Sequence, residues 1–203
     1  MIMRKHVFYG ILALVSLLGL GITQSVRANV IATINQVGTY VDVTGSGTID
    51  LTALSFITPA AAGAAILPSG AYLVLATGNV AVYTGFSGPT SFGSGGVTFA
   101  SSTGGNAVGI AGHDGELFVP QGYVSGAALS GTSTYAGATL LSLGVNPGTY
   151  TWTWGTGVHA DSFTINAGVG VPDAGSTLPL LGFALLGLAA LRRKQTELLR
   201  RVS

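Results

Sequence analysis

The sequence predicts an all-β fold: an antiparallel β-sandwich of jelly-roll-like form, flanked by an N-terminal signal peptide and a C-terminal transmembrane helix. Three observations carry this expectation. Between residues 29 and 166, short runs rich in Val, Ile, Thr and aromatics alternate with Gly, Ser, Asn and Pro clusters, and no window sustains a helical period. The chain is 48% hydrophobic and only 7% charged, the reverse of a disordered composition. The roughly 140 residues between the two ends suit a single domain with a sizeable core.

In chain order, Val41 to Thr44 and Thr48 to Thr52 flank Gly45-Ser46-Gly47 and read as a hairpin with a short glycine-bearing loop. Ala71 to Ala76 and Val80 to Thr84 flank Thr77-Gly78-Asn79 in the same way. The glycine-rich segment from Gly85 to Gly96, with its proline, reads as a surface loop, and Val97 to Ala100 resumes extended structure. Val108 to Ile110, Glu116 to Val119 and Ala127 to Tyr135 are further strands, while Leu140 to Leu143 fits either a strand or one helical turn.

The clearest pattern is Thr149-Tyr150-Thr151-Trp152-Thr153-Trp154, whose alternation places three aromatics on one face and three threonines on the other. Asn146-Pro147-Gly148 turns the chain into it. Gly155-Thr156-Gly157 leads to a returning strand from Val158 to Ile165, which closes the domain before a flexible linker, residues 167–170.

All eight Lys and Arg side chains lie outside residues 28 to 191, so residues 29 to 171 hold five carboxylates against no Lys or Arg, a net charge of −5. An acidic body without cations has no footprint for nucleic acid, whose binding depends on basic side chains displacing counterions from phosphates. Anionic headgroups and phosphorylated substrates are disfavoured for the same reason. Neutral extracellular polysaccharide or another protein surface is the permitted class of partner. The absence of cysteine excludes disulfides, thiolate metal sites and thiol nucleophiles together.

The ends specify export. Arg4, Lys5 and His6 precede the apolar run Val7 to Ile22, and Val26 and Ala28 put small residues where signal peptidase reads, predicting cleavage between Ala28 and Asn29. At the other end Val171-Pro172-Asp173-Ala174-Gly175 is followed by a transmembrane helix over about residues 177–191, which stops at Arg192-Arg193-Lys194. The apolar core from Leu178 to Leu191 is about 21 Å long as a helix, and extension to Ala174 gives about 27 Å, a marginal span of a layer of about 30 Å. The positive-inside bias holds the basic cluster in the cytoplasm and the body outside, agreeing with Arg4 and Lys5. Residues 195–203 form a short cytoplasmic extension carrying Arg200 and Arg201.

The three-part tail, motif, Leu/Gly/Ala-rich segment and basic cluster, resembles the PEP-CTERM class of sorting tails over residues 171–194, in particular its VPDSG-type variant. The resemblance implies processing by an exosortase-like membrane enzyme that cuts near the motif, so that the membrane anchor is transient and the protein passes from the inner membrane to the cell surface or the medium. Ala174 departs from the Ser or Gly usual in that variant, and the chain continues to Ser203 where such tails normally end. More loosely, Ser91 to Gly96, Asn146 to Gly155 and Ala160 to Phe163 resemble a small ectodomain that travels with these tails, which implies a fold and no catalytic residues.

Two chemistries compete with a purely structural body. Tyr150, Trp152 and Trp154, if exposed, would form a sugar-stacking platform and make the protein a carbohydrate-binding module; three rings at period two otherwise make a sandwich core. His113, Asp114 and Glu116, with His159 or Asp161, have the ligand types for a divalent cation, although their spacing matches no metal motif and short polar side chains are ordinary in turns. No Gly-x-Ser-x-Gly elbow, paired-carboxylate arrangement or helical His pair supports a hydrolase. The sequence therefore assigns no catalytic, cofactor-binding or metal residue, and its reading is an exported, noncatalytic envelope or extracellular-matrix protein.

Overall fold

The computed structural model describes residues 29–168. They form thirteen strands in two sheets and no α-helix: β1 (Asn29–Val37), β2 (Tyr40–Gly47), β3 (Ser55–Ala62), β4 (Ala65–Leu67), β5 (Tyr72–Val74), β6 (Gly78–Thr84), β7 (Thr98–Phe99), β8 (Ser102–Gly105), β9 (Gly109–Ala111), β10 (Glu116–Pro120), β11 (Leu129–Ala136), β12 (Gly148–Trp154) and β13 (Asp161–Ala167). A six-stranded sheet has the order β12-β13-β1-β2-β11-β8, and a seven-stranded sheet the order β3-β6-β10-β9-β5-β4-β7. The expected antiparallel pairing holds everywhere except between β1 and β13, which run parallel with Asn29 beside Ser162 and Ile34 beside Ala167. A jelly roll distributes eight strands over its two sheets; here β3, β4 and β7 extend one sheet and the parallel β1–β13 pair lies inside the other, so strand count and order depart from that expectation.

One hydrophobic cluster joins the sheets. The six-stranded sheet gives it Val30, Ala32, Ile34, Val43, Trp152, Phe163 and Ile165, and the seven-stranded sheet gives it Leu73, Ile110, Leu117 and Val119. The period-two alternation explains the partition: in β13 Asp161, Phe163, Ile165 and Ala167 are buried, while Ser162, Thr164 and Asn166 face outward. The seven-stranded sheet carries a second, smaller cluster on its opposite face, built from the intervening residues Val74, Val80, Val82, Ala111 and Phe118. Tyr72 packs edge-on against Phe118 there, with ring centroids 5.8 Å apart.

The expected hairpin around Gly45-Ser46-Gly47 does not form. Strand β2 runs straight through those residues, and the hairpin is β1–β2, closed by Gly38 and Thr39 with Gly38 at φ +57°. Gly45 faces the core, where a Cβ would collide with the Leu75 side chain. Its glycine therefore permits close approach of the sheets, whereas sequence alone reads it as a turn. Thr48 to Thr52 is irregular. The second expected hairpin also fails: β5 pairs with β4 and β9, whereas β6 pairs with β3 and β10.

Segment 85–96 is a loop, but an anchored one. Ser87 bridges to Thr153 and Gly93 to Val145, while Phe92 is buried in the main core. Leu140 to Leu143 forms a helical turn, with the Leu143 N–H donating to the Thr139 carbonyl at 3.0 Å. The closing hairpin β12–β13 forms with Trp154 opposite Asp161, but its return strand starts at Asp161 rather than Val158, because Gly157–His159 form a single 3-10 turn entered at Gly157 with φ +60°. Ala167 is the last residue of β13 and fully buried, and the Gly168 N–H donates to the Ile34 carbonyl at 2.8 Å, so the body extends into the expected linker.

Candidate functional site

The sequence offers three places for chemistry, the two ends, the aromatic face of β12, and the acidic and histidine side chains, and the fold adds a fourth, the outer face of the six-stranded sheet. Ala28, the motif residues Val171, Pro172, Asp173, Ala174 and Gly175, and the basic cluster Arg192, Arg193 and Lys194 lie outside the described residues, as do the expected signal peptide and transmembrane helix. Asn29 is the first residue of β1 and is already in register with Ser162. Among the described residues no helix is long and apolar enough to cross a membrane.

The aromatic face is core, which removes the sugar-stacking platform expected as an alternative. Trp152 has no solvent exposure and Trp154 has 4%. Each indole N–H is satisfied inside the fold, Trp152 by the Pro89 carbonyl at 2.8 Å and Trp154 by the Asp50 carbonyl at 2.9 Å. Trp152 packs edge-on against Phe163 at 6.3 Å, and Tyr150 lies beside Phe92 with its hydroxyl donating to the Asn146 carbonyl.

His113 and Asp114 occupy the β9–β10 turn of the seven-stranded sheet and Glu116 opens β10, whereas His159 and Asp161 belong to the six-stranded sheet's β12–β13 hairpin. Among the described residues, no three His, Asp or Glu side chains converge as a metal site would require. Instead His159 meets Asp50, which the sequence reading had placed in a strand, with Nδ1 2.8 Å from Oδ2. The Asp50 carboxylate also accepts from the Thr52 hydroxyl at 2.6 Å, the Thr52 N–H at 2.9 Å and the Ser125 hydroxyl at 3.1 Å. Those donors, the Thr52 hydroxyl foremost, hold its carboxyl well below the ordinary range.

Asp161 sits behind this corner, 5% exposed, accepting from the Asp50 and Ser162 N–H groups at 2.6 Å each. Burial dominates those bonds and pushes its carboxyl up to about 6. The corner fastens segment 48–52 to the β12–β13 hairpin, and the half-exposed His159 stands at its rim. The Asp-Leu-Thr run at 50–52 is a local side-chain-to-backbone turn that was available as a signal and was overridden by its flanking apolar residues.

The outer face of the six-stranded sheet could not be read from any single segment. In register across all six strands lie Thr149, Asn166, Thr33, Thr44, Thr132 and Gly104. The next rung places Thr151, Thr164, Ile31, Ser46 and Ser130 side by side. Rungs formed this way repeat at about 4.8 Å between strands and about 6.7 Å along them. At the margin the Thr151 and Thr164 hydroxyls bond each other at 3.1 Å and the Thr149 hydroxyl donates to the Asn166 side-chain oxygen at 2.9 Å, while Thr153 and Ser162 make no side-chain hydrogen bond among the described residues. Towards the centre a depression of about 590 Å³ is lined by Ile31, Thr33, Thr44, Ser46, Ser130 and Thr132 together with Gly45, Gly104, Gly105 and Gly131. Among the described residues no side-chain hydrogen bond engages its five hydroxyls.

Residues 170–194 match the VPDSG-CTERM motif, so the chain carries a PEP-CTERM-type C-terminal sorting signal. Neither a curated protein nor a solved structure matches the chain significantly. The sorting signal begins two residues after Gly168, the last described residue of the body.

Proposed function

We propose that this is an exported, noncatalytic protein of the cell envelope or extracellular matrix, held briefly at the inner membrane and released by exosortase-type processing. The observation that carries the reading is the sorting signal at residues 170–194, joined directly to a closed β body without Lys or Arg. A neutral-to-acidic surface with few charges suits contact with uncharged matrix rather than with polyanions. Support for the noncatalytic part comes from the histidines. His113 lies on an exposed turn and His159 is held by Asp50 at an exposed corner, and among the described residues no hydrogen bond joins either imidazole to a hydroxyl.

Intact-mass analysis in a producer with and without its exosortase-type enzyme tests this. With the enzyme present, the expected product begins at Asn29, ends near residues 171–175 and is recovered outside the inner membrane. Without it, the product retains Ser203 and stays with the membrane fraction. A full-length soluble chain in the cytosol of the competent producer would overturn the reading.

A further inference from the structure

We infer that the outer face of the six-stranded sheet binds an uncharged polysaccharide chain across the depression centred on Thr44 and Thr132. The inference deepens the envelope reading, which supplies access to such polymers, but its chemistry stands on the sheet alone. Recognition of a neutral glycan needs many small donor–acceptor groups without a competing charge, and apolar surface for the C–H faces of the rings. This face has both. Thr33, Thr44, Ser46, Ser130 and Thr132 present hydroxyls that no side chain of the described body engages, and half-exposed Ile31 lies among them. Its one carboxylate, Asp42, is held by the Thr134 hydroxyl at 3.0 Å, to one side of the depression.

What favours a ligand over a merely solvated face is that five hydroxyls and an apolar side chain gather in one depression of about 590 Å³ whose lining holds no charged residue. Near β12 and β13, Thr151 shares its hydroxyl with Thr164 and Thr149 donates to the Asn166 side-chain oxygen, so two of that margin's rungs are internally bonded. In the depression no hydroxyl is engaged by a side chain of the described residues, and Gly104, where a Cβ would stand 3.2 Å from the Thr132 hydroxyl, keeps the floor open beside it. The right-handed twist of a sheet, roughly 20° per strand, prevents six strands from presenting a flat lattice plane. A polymer that can follow the twist is therefore a better occupant than a crystalline surface. The five carboxylates of the body repel acidic polymers, which selects neutral ones.

The test uses the full chain in a polyoxyethylene detergent, which carries no sugar headgroup, titrated against soluble β-1,4-glucan and galactomannan, with alginate as the anionic comparison. The expected result is saturable binding to at least one neutral polymer and none to alginate. Thr44→Val with Thr132→Val keeps the branched shape and removes two hydroxyls, so affinity should fall about tenfold. Thr149→Val, on the self-paired margin, should leave it unchanged. The near-ultraviolet signal of buried Trp152 and Trp154 shows whether each variant is folded.

Absence of binding to both neutral polymers, equal binding to alginate, or unchanged affinity in the folded double variant would each overturn the proposal. So would self-association abolished by the same pair, which would give the face to a second copy. Because binding is measured on purified chain, these outcomes are separate from any failure of processing.

Discussion

The two sheets share one core yet present different outer faces. Outside the six-stranded sheet, threonine, serine and asparagine stand in lateral register around a shallow depression. Outside the seven-stranded sheet, Val74, Val80, Val82, Ala111 and Phe118 make a second buried cluster, so that strands such as β10 are buried at consecutive residues 117, 118 and 119. The first sheet follows the ordinary antiparallel rule of one apolar and one wet face; the second is apolar on both. One sandwich therefore divides its work: one sheet adds stability on both its faces, and the other is left with a whole face for contact.

Substitutions can break this comparison. The largest effect belongs to the shared core: Trp152→Ala should cost about 4 kcal/mol in chemical denaturation, because it leaves a large cavity and strands the Pro89 carbonyl. Phe118→Ala, on the outer cluster of the seven-stranded sheet, should cost about 3 kcal/mol. A loss below about 1 kcal/mol would mean that this cluster contributes little and that the sheets are more alike than their burial implies. Gly131→Ala drives a Cβ to 2.8 Å from the Leu75 Cβ and 2.7 Å from the Asn106 carbonyl oxygen, and should cost about 1 to 3 kcal/mol.

A pH series separates the two carboxylates of the Asp50–Asp161 corner, at one end of the six-stranded sheet. Asp161 titrates near 6 when folded and near 3.8 when unfolded, so the folded state binds the extra proton between those values. Stability from this group is fully present below about 3.8 and is lost as pH rises towards and through 6. Asp50 acts oppositely, since its carboxyl is held low: its contribution is present above the ordinary carboxylate value and is lost as pH falls below it. The melting temperature should therefore peak near pH 4, and Asp161→Asn should flatten the decline between pH 4 and 6. The smallest effect is on the open face, where Thr132→Val should change stability by no more than about 0.5 kcal/mol, measured in the same denaturation series.

What the sequence made legible was whatever is local. The alternation of residues 149 to 154 placed Trp152 and Trp154 inward because one strand carries the whole pattern. The sorting tail was readable for the same reason, as contiguous residues ending in a charge cluster. Strand β1 was missed although Val30, Ala32 and Ile34 alternate with Ile31, Thr33 and Asn35. Strand β3 had no readable period, since Ser55 through Ala61 are all exposed and a bulge interrupts it between Phe56 and Thr58. The glycines of β2 and β11 were ambiguous in kind, because a residue chosen to let two sheets approach is the same residue that makes a turn. The hydroxyl rungs were invisible for a stronger reason: Thr33, Thr44 and Thr132 become neighbours only through pairings between strands far apart in the chain.

The parallel pairing of the first strand with the last has a consequence for timing. Asn29 waits for Ser162, about 130 residues later, and β1 remains an unprotected edge on that side until the β12–β13 hairpin arrives. Closing so long a loop is slow, and it cannot be completed before residues 161–167 are available to pair. The strand that completes the sheet is also the one that immediately precedes the sorting signal. Completion of the body and synthesis of its sorting signal thus follow one another directly, and a chain stalled short of residue 161 would have an open seam and no label.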